Sequence, residues 1–163
     1  MVEPFAVGLH TVHSAEIELG DDVLIVGAGG VGLTTLVWAS RKGAARVTVI
    51  DPDSDRLLSA SALGATDVHN SVTDAEAGAY DAVIECVGRP ELLPASQPAL
   101  RPRGRVVIAG ACADPTPIEP VTALLRELTI RYSVAYTADE FREVIAAFST
   151  GEVDPSMLFG STF

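Results

Sequence analysis

A glycine-rich turn, placed between an apolar run and a helical pattern, constrains the fold of this chain more than any other feature. The apolar run is Val23–Val26, and Gly27, Gly29 and Gly32 follow it at G-x-G-x-x-G spacing. Gly27 permits a sharp turn off a strand, Gly29 leaves room for a close approach to the backbone, and Gly32 lets the helix pack closely on a sheet. The pattern predicts a strand, a turn and a helix with a binding site at the turn.

The residue types around this turn favour an anionic ligand that carries a ribose. Unpaired N–H groups and the helix dipole favour an anion at the helix N-terminus, where we expect the amides of Gly29, Gly30 and Val31. A second apolar run, Val47–Asp51, ends on an acid 19 residues after Gly32. Its carboxylate can accept hydrogen bonds from both ribose hydroxyls, so the arrangement predicts a dinucleotide site. The plainer alternatives are a tight turn without a ligand and a strand-end acid that caps the next helix.

Length, charge and hydropathy narrow the classes of partner. The chain has 163 residues, the size of one domain. Its 11 Lys and Arg against 22 Asp and Glu give a net charge of −11, which argues against nucleic acid and anionic membrane surfaces as partners. A mean hydropathy of +0.31 fits a strand-rich core or apolar surface covered by something else.

Cysteine usage and the first residues indicate the compartment. Cys86 and Cys112 are too few for a disulfide framework, so a reducing cytoplasm is expected. Residues 1–20 carry acids and no basic segment, and we expect no signal peptide. No apolar run approaches the roughly 18 residues of a membrane span.

Strand and helix patterns alternate along the whole chain, which predicts an α/β fold with a doubly wound parallel sheet. The predicted strands are 23–26, 47–51, a short one at Val68, 82–86, 105–109 and 128–134, and the predicted helices are 4–15, 31–42, 54–63 and one from a capping box at Thr137 to Gly151. Trp38 is expected in the core. Pro94 and Pro98 predict irregular structure over 90–101.

Several motifs together carry a family resemblance. They are Glu3-Pro-Phe-Ala-Val-Gly-Leu-His, the glycine turn, Val49-Ile-Asp51, Leu63-Gly-Ala-Thr-Asp67, Asp81-Ala-Val-Ile-Glu-Cys-Val-Gly88 and Gly104-Arg-Val-Val-Ile-Ala-Gly110. In this order they resemble the nucleotide-binding domain of the medium-chain dehydrogenase/reductases, most closely the zinc-dependent alcohol and polyol dehydrogenases. The resemblance implies a six-stranded Rossmann sheet of order 3-2-1-4-5-6 with helices on both faces.

The resemblance covers nearly the whole chain but only part of the family's length. We expect residues 1–163 to form a single NAD-binding domain, with 1–20 as a leading helix and linker from a catalytic domain and 155–163 as the start of the return to it. The family's zinc-binding Cys and His-Glu motifs and its four-cysteine lobe are not in this sequence. Glu3 matches a position at or near the catalytic zinc, yet one carboxylate cannot hold a zinc ion, which needs about three protein ligands. We therefore assign no catalytic residue and no metal ligand within the chain. Residues 69–80 are too few for the family's helix, so an open loop is expected.

The same resemblance implies roles for individual residues. Gly27, Gly29 and Gly32 form the pyrophosphate turn and Asp51 binds the ribose. Arg56 lies beside the adenine and its ribose, or is a solvated charge paired with Asp53 or Asp55. The nicotinamide half is bordered by Cys86, Val87, Gly88, Ala109, Gly110 and Ala111. Because Asp51 would repel a 2′-phosphate and we expect no Arg or Lys next to it to compensate its charge, we expect NAD rather than NADP.

Some residues permit two interpretations. His10, His13 and Glu16 share a rough helical face and suggest either metal ligands or, more commonly, a hydrated or interdomain face. Cys86 and Cys112 end neighbouring strands and suggest either a redox pair or small apolar packing. The strand at 128–134 would be a bare sheet edge, and the family resemblance implies that it pairs across a homodimer axis.

These observations predict the NAD-binding domain of an oxidoreductase. In the full-length enzyme, zinc would polarise a small alcohol or carbonyl substrate and hydride would pass to or from nicotinamide. We expect this chain alone to be inactive. One alternative is a stand-alone NAD-sensing regulatory module. Another is a methyltransferase, which also uses a glycine-rich turn and a strand-end acid.

Overall fold

The computed structural model describes residues 2–158, which contain six strands and six α-helices. The strands are β1 (Asp22–Val26), β2 (Arg46–Ile50), β3 (Asp67–His69), β4 (Tyr80–Glu85), β5 (Leu100–Ile108) and β6 (Thr129–Tyr132). The helices are α1 (Val2–Ser14), α2 (Gly30–Arg41), α3 (Ser54–Ala62), α4 (Leu92–Ser96), α5 (Pro120–Leu125) and α6 (Ala138–Ser149). Short 3₁₀ turns occupy Val72–Asp74, Gln97–Ala99 and Pro155–Leu158. No helix in this range has the length and apolar character to cross a membrane.

The six strands form one parallel sheet in the order β3-β2-β1-β4-β5-β6. Val23 of β1 aligns with Val47 of β2 on one side and with Ala82 of β4 on the other. The doubly wound α/β prediction and its strand order are confirmed. In such sheets a crevice opens at the carboxyl ends of the strands where the strand order reverses, here between β1 and β4.

Both faces of the sheet are buried, as parallel sheets require. Val23 and Ile25 of β1 point into one core cluster, which α1, α2 and α6 cover. Leu24 and Val26 point into the other cluster, where Leu93 of α4 packs. Because the side chains on both faces of the sheet are buried, the strands are continuous apolar runs and do not alternate between apolar and polar residues.

Helix α1 packs into the same core as the rest of the domain. Phe5 and Leu9 are fully buried. A Cβ atom on Gly8 would lie 2.5 Å from Thr34 Oγ1, so the absence of a side chain lets α1 and α2 approach closely. Trp38 is buried as predicted, and its Nε1 donates to the Phe5 carbonyl at 2.9 Å.

The prediction of irregular structure over 90–101 is wrong. Residues Leu92–Ser96 form α4, and a 3₁₀ turn leads directly into β5, which begins at Leu100 rather than at 105. Pro94 lies in the first turn of α4, where a missing N–H costs no intrahelical hydrogen bond. The segment at 69–80 contains only a 3₁₀ turn and no α-helix, as the sequence indicated.

The predicted capping box at the start of α6 is present and also ties this helix to α1. Thr137 Oγ1 accepts from the Glu140 amide, and the Glu140 side chain accepts from the Thr137 amide at 2.7 Å. The same carboxylate contacts His10 Nδ1 at 2.9 Å and His13 Nδ1 at 2.9 Å. Burial opposes the ionisation of Glu140, but these hydrogen bonds outweigh it and lower its pKa to about 2.

This pKa predicts a contribution of Glu140 to acid stability. A carboxyl with a depressed pKa in the folded state stabilises the protein above its unfolded pKa, near 4.5, and loses that contribution as the pH falls towards 2. We expect Glu140→Gln to lower the free energy of unfolding at pH 7, and to remove a pH dependence on the order of 3 kcal/mol between pH 4.5 and 2. Urea unfolding of both chains at a series of pH values measures the free energy of unfolding and its pH dependence. Glu143→Gln, an exposed change on α6, is the control, and equal pH profiles for Glu140→Gln and the unmodified chain would contradict the assignment.

Candidate functional site

The glycine turn joins the end of β1 to the start of α2. Gly27 has a φ of +104°, a conformation that glycine adopts without strain, and its amide donates to the Ile50 carbonyl at 2.7 Å. A Cβ on Gly32 would lie 1.8 Å from the Gly27 carbonyl oxygen, so the first turn of α2 packs directly on the loop. Gly29 is the N-cap of α2 and provides no side-chain cap, and a Cβ there would meet nothing within 4 Å. The first amides of α2 therefore have no side-chain acceptor and adjoin open space.

Asp51 lies beside this turn, at the end of β2. Its carboxylate is 4% exposed and accepts from the Ala28 amide at 2.8 Å and the Asp53 amide at 2.9 Å. A carboxylate has about four acceptor positions, so each oxygen keeps one for a ligand. The backbone contacts hold Asp51 in a fixed orientation towards the turn.

Arg56 corrects the expectation that no basic residue adjoins Asp51. Its Nη1 lies 3.6 Å from Asp51 Oδ2, and its Nε lies 3.8 Å from Asp53 Oδ2. The first turn of α3 brings it there, because Asp53 caps that helix by accepting from the Asp55 and Arg56 amides. Arg56 thus combines the two roles considered from the sequence, being paired with Asp53 and placed beside the predicted ribose site.

A cavity of about 450 Å³, called the first cavity, opens between the glycine turn and the ends of β2, β3 and β4. The predicted residues that line it are Gly27, Gly29, Asp51, Arg56, Cys86 and Val87. Asn70, Ser71 and Arg89 also line it and were not predicted. Asn70 and Ser71 follow the short strand β3, and only the strand order shows that this strand ends beside β2.

The ends of β4 and β5 interlock next to this cavity. The amides of Ala109 and Gly110 donate to the Glu85 carbonyl at 2.8 and 2.9 Å. A Cβ on Gly88 would lie 2.3 Å from the Ala111 carbonyl oxygen, and a Cβ on Gly110 would lie 2.1 Å from the Gly88 nitrogen. Two glycines are therefore needed for the loops after β4 and β5 to touch backbone to backbone.

A second cavity of about 430 Å³, called the second cavity, lies beyond these loops at the ends of β4, β5 and β6. The predicted residues Ala109, Gly110 and Ala111 line it. Glu85 and Arg89 line it as well, and sequence analysis missed both. Glu85 is an acid that ends the apolar run 82–84, a signal that the sequence did contain. Arg89 borders both cavities and lies at their junction.

The two cysteines do not form a disulfide, and both are free thiols. Cys86 lines the first cavity and Cys112 the second. Burial, and then the charge of Glu85, raises the pKa of the Cys86 thiol to about 12, which leaves it protonated and unreactive at neutral pH. The structure favours packing over a redox pair.

The candidate metal ligands do not converge on a common metal position. Residues 2–158 contain no group of three or more His, Cys, Asp or Glu side chains placed to hold a metal ion. His10 and His13 contact Glu140 rather than a shared metal position, and Glu16 pairs with Arg131 at 2.9 Å. Glu3 is exposed in the first turn of α1.

Comparison with known proteins adds family information to this geometry. Residues 30–150 match the family model described as zinc-binding dehydrogenase. The D-xylulose reductase of Scheffersomyces stipitis is 31% identical over 92% of this chain and 44% of its own length. The chain spans about half the length of the curated relatives it matches.

Solved structures show the same architecture with different cofactors. A zinc-binding dehydrogenase from Sinorhizobium meliloti, bound to NADP, is similar with a TM-score of 0.87 and 31% identity over 94% of this chain and 48% of its own. An alcohol dehydrogenase from Escherichia coli, complexed with NADH, is similar with a TM-score of 0.86 and 25% identity over 96% of this chain and 49% of its own. These two relatives bind different nicotinamide dinucleotides.

Proposed function

This chain belongs to the zinc-binding dehydrogenase family, and on that premise we propose that it is the NAD(H)-binding domain of a medium-chain alcohol or polyol dehydrogenase. The observation that carries the proposal is the junction of the glycine turn with Asp51 over the first cavity. The open helix start suits a diphosphate, and the fixed carboxylate suits a ribose. We assign the adenosine half of the cofactor to the first cavity and the nicotinamide half to the second.

Local charge favours NAD over NADP. Asp51 and Asp53 carry two negative charges, and Arg56 neutralises one of them. A 2′-phosphate placed at the ribose would meet a net negative site, whereas ribose hydroxyls would meet acceptors. Because relatives bind either cofactor, this preference rests on the residues of this chain alone.

Asp51→Asn tests the ribose contact. We expect it to weaken NAD binding by about 1.5–3 kcal/mol, the cost of a lost charge-assisted hydrogen bond, and to weaken NADP binding much less. Calorimetric titration of both cofactors measures the difference. Asp55→Asn, an exposed change on α3, is the control and should alter neither affinity. Equal weakening of NAD and NADP would remove Asp51 from the ribose site.

The same titration separates the rival functions. A chain that binds S-adenosylmethionine but not NAD would be a methyltransferase-like domain. A dissociation constant for NAD above about 1 mM, which corresponds to less than roughly 4 kcal/mol of binding free energy, would contradict the proposal. A stand-alone NAD sensor would change its oligomeric state when NAD is added, whereas a domain that only holds the cofactor would not.

In the full-length enzyme, nicotinamide would supply hydride transfer, and zinc would polarise the alcohol or carbonyl oxygen of a small-molecule substrate. The residues described here do not fit zinc, so its ligands are assigned to other parts of the enzyme. This chain's residues bind and orient the cofactor through the start of α2, Asp51 and the loops after β4 and β5. We propose no catalytic acid or base among them and expect the chain alone to be inactive.

We also propose a homodimer formed through β6. This strand is one edge of the sheet and pairs only with β5 among residues 2–158. Tyr132, the last residue of β6, and Val134, which follows it, are 69% and 84% exposed, and an exposed apolar edge favours pairing with a second copy. Sedimentation velocity tests this, and a monomer at all concentrations would contradict it.

The two free thiols suit a reducing compartment, for which we propose the cytoplasm.

A further inference from the structure

Glu85 is a buried acid for which the turn and the ribose site give no role. It ends β4, is 3% exposed and lines the second cavity. Its Oε1 accepts from the amides of Val87 at 2.7 Å and Gly88 at 2.8 Å. Its hydrogen bonds to residues 2–158 all use Oε1, which leaves Oε2 available as an acceptor.

The charge of Glu85 also lacks a counter-ion in the described part of the chain. None of the ion pairs within residues 2–158 includes Glu85, and Arg89, which lines the same cavity, is not within ion-pair distance of it. A buried carboxylate without a cation is costly. Such a cost is offset when a bound ligand brings a positive charge or a hydrogen-bond donor to it.

Glycine at position 110 keeps the approach to this carboxylate open. A Cβ on Gly110 would lie 2.7 Å from Glu85 Oε2, so any side chain there would cover the free oxygen. Because residue 110 has no side chain, the loop after β5 places no side-chain atom over Oε2, and Glu85 lines the second cavity. The two oxygens differ in role, because one anchors the Val87–Gly88 turn and the other remains free.

We propose that the Glu85 carboxylate acts on the nicotinamide half of the bound cofactor and favours its oxidised form. The oxidised nicotinamide ring carries a positive charge and the reduced ring is neutral, so a nearby carboxylate stabilises the first selectively. Oε2 is also placed to accept a hydrogen bond from an amide N–H donor such as the nicotinamide carboxamide. This inference rests on the proposed function, which assigns nicotinamide to the second cavity.

Glu85→Gln tests the effect of the negative charge while keeping the size and shape of the side chain. Glutamine retains an acceptor for the Val87 and Gly88 amides and removes the negative charge. We expect it to weaken NAD⁺ relative to NADH by about tenfold, measured on this chain by calorimetry and by NADH fluorescence. Glu140→Gln is the matched control, because Glu140 is also buried but lies between α1 and α6 and lines neither cavity. Its ratio of affinities should equal that of the unmodified chain.

The outcomes distinguish this inference from the proposed function. A chain that binds neither NAD⁺ nor NADH refutes the proposed function and this inference with it. A chain that binds both, with Glu85→Gln weakening both equally or neither, overturns only the role of Glu85. If Glu85→Gln does not fold, Glu85→Asp replaces it, because the shorter side chain keeps the charge but withdraws it from the second cavity. A shift of the affinity ratio towards NADH then supports the proposal, and an unchanged ratio overturns it.

Discussion

Replacing Gly32 by alanine is expected to destabilise the domain by about 3 kcal/mol or more, up to loss of folding. The added Cβ would lie 1.8 Å from the Gly27 carbonyl oxygen and 2.9 Å from its carbonyl carbon. Both are backbone atoms, and the turn that contains them is hydrogen-bonded to β2. Neither α2 nor the loop can therefore move away without breaking contacts with the sheet.

Urea unfolding measures this effect, with the fluorescence of Trp38 as the probe because it is the single tryptophan and is buried. Gly30→Ala is the control. A Cβ at Gly30 meets nothing within 4 Å, and alanine is the better helix former, so this variant should be as stable as the unmodified chain or slightly more stable. A Gly32→Ala variant within 1 kcal/mol of the unmodified chain would contradict the close packing.

Gly29→Val is expected to have the opposite effect, with stability kept and cofactor binding weakened. Gly29 has a φ of −76°, which valine tolerates, and the space around its Cβ position is open in the protein. That space belongs to the first cavity, where we propose the diphosphate binds. Overpacking typically costs about 1–3 kcal/mol, so NAD affinity should fall roughly 5- to 150-fold.

The measurement combines thermal unfolding without cofactor and calorimetric titration with NAD. Gly20→Ala is unsuitable as a control because Gly20 has a φ of +93°. Ala146→Val serves instead, since it enlarges an exposed residue on α6 that lines neither cavity. A Gly29→Val variant that binds NAD as tightly as the unmodified chain would place the diphosphate elsewhere.

Local sequence patterns predicted the contacts between residues that lie close together in the chain. The capping box at Thr137 and Glu140 was predictable because both partners lie within one helical turn. Its connection to His10 and His13 was not, because 127 or more residues separate the partners. The family resemblance placed Arg56 near the ribose, but its contact with Asp51 Oδ2 at 3.6 Å depends on how α3 leaves β2 and could not be derived from the five-residue spacing.

The sequence alone determined the six strands, four of the six α-helices and the residues of the glycine turn, and the family resemblance supplied the strand order, whereas α4 and α5 were not predicted. These follow from short-range rules: glycine spacing, apolar runs that a parallel sheet buries on both faces, and caps at helix ends. Only the tertiary structure decided which side chains meet at the carboxyl edge. Glu85 lines the second cavity beside Gly110 of the loop after β5, and Asn70 and Ser71 line the first cavity because β3 ends beside β2. These contacts depend on which strands are neighbours in the sheet. Neighbouring strands are distant in the chain, so no local sequence pattern determines the contacts.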